Sequence, residues 1–200
     1  MIGTVLRVRA VPRGLVAVVL AAGLSAFAGT HVLWIDLSPA NPTRLPVAEL
    51  CGILAATALA VLTRPRVWEW DRVARSRRAR VVAGAVAVAG VTLPTACVFA
   101  VAVRLPAGTA WGWVVADTVV VAALVFVAAP FVRPVWAGLV AVVVWYGCGV
   151  LGNIVPGVAP YLPTSAYPAA EAHWWWAGAL AVVAIGVQVR TLGAVALRED

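Results

Sequence analysis

Six apolar runs dominate this chain, each long enough to cross a hydrocarbon core, which takes about 20 residues with a range of about 17 to 25. They lie at residues 14–35, 46–62, 81–103, 110–129, 134–155 and 174–191. Hydrophobic residues make up 64% of the 200 residues and charged residues 12%, against about 45 to 50% and about 25% in a soluble domain. The predicted fold is all-α: a polytopic membrane protein with a single transmembrane domain over residues 1–200. It has six transmembrane helices, both termini in the cytoplasm, and a short amphipathic cytoplasmic helix between helices 2 and 3.

The first run has a feature of a cleavable leader, because Arg7, Arg9 and Arg13 precede it and Ala26-Phe27-Ala28 has the form of a cleavage site. The apolar stretch continues through Val32, Leu33, Trp34 and Ile35. Spanning length therefore predicts a retained helix.

Orientation follows from the basic residues, which gather on the cytoplasmic side of membrane helices. All 15 are Arg. With the N-terminus inside, only Arg44 and Arg104 fall outside, and the other 13 of the 15 lie inside. Tryptophan marks the two surfaces: Trp34, Trp111, Trp113 and Trp174 to Trp176 at the outer one, Trp68, Trp70 and Trp136 at the inner one. Trp145 falls in mid-helix. The expected location is the inner or plasma membrane, as a multi-pass protein.

The net charge of +7 does not imply nucleic acid, since no soluble domain is left to carry a basic face. The absence of Lys removes two further chemistries, because a phosphate-loop ATP site and a Schiff base both require a Lys amine. Cys51, Cys97 and Cys148 show no metal or redox spacing and read as small buried hydrophobes. His31 and His173, near the outer surface with Glu49, are too few for a metal or haem site. GCGVLG at residues 147–152 matches a dinucleotide fingerprint only formally; inside a membrane run it reads as close helix packing. No catalytic constellation, cofactor site or metal site is expected, and the chain is not expected to be an enzyme by itself.

Three features remain. Residues 63–80, TRPRVWEWDRVARSRRAR, hold seven Arg and favour a helix along the inner surface, with Glu69 and Asp71 toward its positive end and the Arg run toward its negative end. This segment is either a topogenic loop held against anionic lipid or a coupling helix that docks on a partner. In the second reading Glu69, Trp70, Asp71, Arg72 and Arg75 make the contact. The external loop at residues 155–173 carries Pro156, Pro160, Pro163 and Pro168, which block a long helix and predict a segment folded back on the outer membrane surface or dipping shallowly into it, rather than a merely disordered loop. Asp117 stands about seven residues into its span, roughly 10 Å deep at about 1.5 Å per residue. A carboxylate there should face protein or water. It could line a substrate or proton path, pair with Arg104, or bond a neighbouring helix.

This layout resembles the membrane subunits of six-helix ABC exporters, in which the first cytoplasmic loop couples to the ATPase and the last external loop forms short re-entrant helices. It is more closely similar to the small Ala/Val-rich actinobacterial permease subunits that accompany ABC ATPases, through Glu69, Asp71, Arg72, Arg75, Arg77 and Arg78 and the Trp-rich start of the last helix. The resemblance implies a transmembrane subunit of a multicomponent exporter of an amphipathic or lipid-like substrate. It also implies an ATPase on a separate chain, and further membrane subunits or a second copy of this one as partners. The alternative is a non-transport assembly or immunity partner of another membrane complex.

Overall fold

A computed structural model of the chain describes residues 11–38, 42–64, 77–106, 108–168 and 170–193. Helices account for most of them: α1 (Val11–Ala28), α2 (Val47–Leu62), α3 (Arg77–Thr92), α4 (Ala96–Ala102), α5 (Gly112–Val132), α6 (Pro134–Ile154) and α7 (Trp174–Thr191). Helices α3 and α4 form one rod, interrupted by a 3₁₀ turn at Leu93–Thr95. Pro94 lies in that turn, where its missing N–H and ring disfavour regular α-helix. Three helical stretches are long and apolar enough to cross a membrane: Ala79–Ala102, Gly112–Val132 and Pro134–Ile154. Pro12–Ala28 and Val47–Leu62 are shorter apolar helices. The chain thus has the build of a membrane protein.

Helix α5 is the centre of the bundle, with 67% of its apolar window buried against 39% for the α3–α4 rod and 33% for α6. It packs on α2, α3, α6 and α7. Small residues set the approach distances, as expected where close backbone contact drives helix association. A Cβ on Gly90 of α3 would stand 2.0 Å from the Phe126 ring of α5, and one on Gly52 of α2 would stand 2.7 Å from the Thr118 side chain. Around this centre the helices present large apolar side chains outward, Val19, Leu20, Val143 and Val182 among them.

The all-helical expectation needs one correction. The first apolar run does not stay helical to Ile35: α1 ends at Ala28, and Val32–Ile35 forms β1, paired antiparallel with β2 (Thr43–Pro46). The register sets Val32 against Pro46 and Ile35 against Thr43. The β-branched and aromatic residues of this stretch suit an extended strand. β2 alternates as a strand with one covered face does, with Thr43 and Leu45 buried and Arg44 and Pro46 less so, while in β1 only Ile35 is buried. Strand β2 thus begins within residues 36–45, which read from the sequence as a short external loop.

The hairpin joins the C-terminus of α1 to the N-terminus of α2 and lies over one end of the bundle. A 3₁₀ helix (Pro156–Tyr161) and the chain leading to α7 lie over the same end. Arg13, Arg64, Arg77, Arg80, Arg133 and Arg190 stand at the helix ends away from this cap.

Candidate functional site

Beneath the cap lie two buried carboxylates. Glu49 is the third residue of α2 and Asp117 lies in the second turn of α5; both are 0% exposed. Their helices touch one turn away from Glu49 and next to Asp117, at Gly52 and Thr118, and the two side chains are within electrostatic reach of each other. Trp145 of α6 donates its indole N–H to Glu49 Oε2. The Ser165 backbone N–H donates to Asp117 Oδ2 at 2.7 Å. The Ser165 hydroxyl lies 3.1 Å from the same oxygen and 2.8 Å from the Glu171 carbonyl. It has one proton to give, so the backbone N–H is the constant donor to Asp117. Glu49 Oε1 and Asp117 Oδ1 are buried without a partner among the described residues.

The cap is fixed from below by Asn153, near the end of α6 and fully buried. Its amide nitrogen donates to the Ile35 carbonyl at 3.2 Å and to Thr43 Oγ1 at 3.1 Å, and its oxygen accepts from the Ser38 N–H at 3.0 Å. One turn earlier, Gly149 lets the hairpin settle on α6: a Cβ there would stand 2.9 Å from Leu45 and 3.0 Å from Ile35. The proline-rich segment adds a further layer. Arg44 and Tyr167 exchange backbone hydrogen bonds of 3.1 and 3.3 Å. The Arg44 guanidinium lies 4.0 Å from the Trp34 ring centroid and 5.3 Å from that of Tyr167, a stacking that holds its charge between two aromatic faces.

Between cap and bundle is a cavity of about 90 Å³, lined by Thr43, Cys148, Thr164, Ser165 and Tyr167 among others. Cys148 and Thr164 face the same cavity. The chemistry on offer is a set of oxygen ligands under a closed cover. Among the described residues no group of three or more His, Cys, Asp or Glu is placed to hold a metal ion.

The residues singled out in the sequence divide sharply. Glu69, Trp70, Asp71, Arg72 and Arg75 lie outside the described residues; Arg77 and Arg78 begin α3. Asp117 is bonded to Ser165 of the proline-rich segment, while Arg104 is exposed beyond α4. His173 is buried with Nδ1 unpartnered, and His31 is exposed. Sequence reasoning missed the roles of Glu49, Trp145, Asn153 and Ser165. Two signals pointed to them: Trp145 is the one Trp set away from the membrane surfaces, and Glu49 is an acid adjoining an apolar run. Compared with family models, with curated proteins and with solved structures, the chain matches none.

Proposed function

We propose that this chain is the membrane subunit of a multicomponent ABC exporter, crossing the inner or plasma membrane six times with both termini in the cytoplasm and driven by an ATPase on a separate chain. The observation that carries the reading is the sidedness of the bundle. One end is closed by the hairpin and the proline-rich segment. The other bears Arg13, Arg64, Arg77, Arg80, Arg133 and Arg190, and an excess of Arg marks the cytoplasmic side. The Arg-rich segment at residues 63–80 leaves α2 at that end, where an ATPase would dock, and Glu69, Trp70, Asp71, Arg72 and Arg75 form the contact. The outward apolar side chains suit an amphipathic or lipid-like substrate taken from the bilayer.

Copurification tests this. The tagged chain should retain a protein bearing a phosphate-binding loop, and Arg72→Glu with Arg75→Glu should release it and abolish export. An ATPase-free preparation, together with intact export in the double variant, would sink the reading. The second reading, an assembly or immunity partner, draws support from the filled centre of the bundle, where Ile53, Phe126 and Trp145 are at most 2% exposed. It predicts that deleting this chain lowers the abundance of a neighbouring complex while transport by that complex, once assembled, is unchanged.

A further inference from the structure

The carboxylates beneath the cap impose a requirement that the exporter reading does not meet. Glu49 and Asp117 are each fully buried and each uses a single oxygen, Oε2 toward Trp145 and Oδ2 toward Ser165. The other two oxygens, Oε1 and Oδ1, are buried without a partner among the described residues. Among the described residues every donor that reaches these carboxylates is neutral, an indole N–H, a backbone N–H and a hydroxyl. Burying an unpaired carboxylate is costly, and a second one within electrostatic reach adds repulsion that a low-dielectric interior magnifies.

The side chains around the site do not supply the missing charge. On the hairpin, the Arg44 guanidinium stacks between Trp34 and Tyr167, with its Nε buried and without a partner among the described residues. Arg104 is exposed beyond α4. On α6, Cys148 lines the cavity as a free thiol. On the segment leading into α7, Glu171 offers its carbonyl to Ser165, and His173 is buried with Nδ1 unpartnered. Among the described residues none of Arg44, Arg104 and His173 bonds to Glu49 or Asp117.

We propose that Glu49 and Asp117 form a binding site for one monovalent cation, either a proton shared by the two carboxylates or a sodium ion. The free oxygens Oε1 and Oδ1 are its anionic ligands. Ser165, which bonds Asp117, also lines a cavity of about 90 Å³ with Thr43, Thr164 and mainly apolar neighbours, which exceeds the roughly 30 Å³ share of a water molecule in the liquid. An all-oxygen donor set suits a hard cation. Non-helical backbone lies over this end of the bundle, and such backbone is a known place for an ion to be held. Because Ser165 both covers the site and bonds Asp117, occupancy and closure of the cap are linked.

Infrared spectroscopy of the full chain in lipid nanodiscs, in choline buffer and in sodium buffer at neutral pH, tests the site and separates the two ions. A bound proton gives the carbonyl band of a protonated carboxylic acid in both buffers, lost in Glu49→Gln or Asp117→Asn. Should either variant fail to fold, carboxyl ¹³C-labelling of Glu or of Asp in the unaltered chain assigns the band by its isotope shift. A bound sodium ion instead removes the band in sodium buffer and gives stoichiometric binding of radioactive sodium that both variants lose. Absence of both the acid band and sodium binding overturns the proposal. So does an acid band assigned to residues other than these two. Neither result depends on whether an ATPase copurifies, so failure of the cation site and failure of the exporter reading remain distinct.

Discussion

Pro130 illustrates how a single residue in α5 reaches across the bundle. Proline carries no N–H, so the Phe126 carbonyl, four residues earlier, is left without its helical donor. Gln188 of α7 supplies one, its side-chain amide donating to the Phe126 carbonyl at 2.7 Å with the side chain 6% exposed. A polar residue in the last helix is thereby explained by a proline in the central one. Gln188→Leu should cost about 1–2 kcal/mol by leaving that carbonyl unsatisfied. In a Pro130→Ala background, where the helix regains its own donor, the same substitution should cost less than half as much. A double-mutant cycle read by thermal unfolding in detergent measures the difference, and equal costs in the two backgrounds would contradict the assignment.

At the scale of elements, the hairpin shows where the sequence could be read and where it could not. Starts and ends of α2, α6 and α7 were legible because Pro46, Pro134 and Trp174 punctuate long apolar runs. The strand Val32–Ile35 was not, since a short apolar stretch following a membrane-length one has no period of its own to separate helix from strand. What decides it lies far along the chain, with the buried Asn153 bonded to three points of the hairpin. The candidate site follows the same pattern. A buried acid at Asp117 was legible from its depth in a span, but its partner Ser165 is 48 residues away, and nothing local announces the pairing. Glu49 was visible only as an acid near a helix end, because its indole donor sits 96 residues on. If Asn153 is the anchor of the cap, Asn153→Ala should lower stability by about 2–3 kcal/mol, at about 1 kcal/mol for each hydrogen bond lost. It should also make residues 36–42 susceptible to protease in proteoliposomes. Unchanged resistance there would show that the cap is held by other contacts.

At the scale of the whole molecule, sidedness is the property on which the functional reading turns. The closed end carries a cation-stacked hairpin and the buried acids; the opposite end carries the Arg-rich helix termini and releases the segment at residues 63–80. Membrane insertion places Arg on the cytoplasmic side, so an ATPase and a covered ion site would address opposite faces of one thin bundle. The measurement that tests this most directly is thiol labelling with a membrane-impermeant maleimide, in a chain whose Cys51, Cys97 and Cys148 have been replaced. Single cysteines are introduced at Gly3, Leu37, Ser76, Gly108, Ala170 and Asp200. Six spans with both termini inside predict that Leu37, Gly108 and Ala170 positions react in intact cells, while Gly3, Ser76 and Asp200 positions react only after permeabilisation. Reaction at the Ser76 position in intact cells, or protection of the Ala170 position until the membrane is opened, would contradict the account.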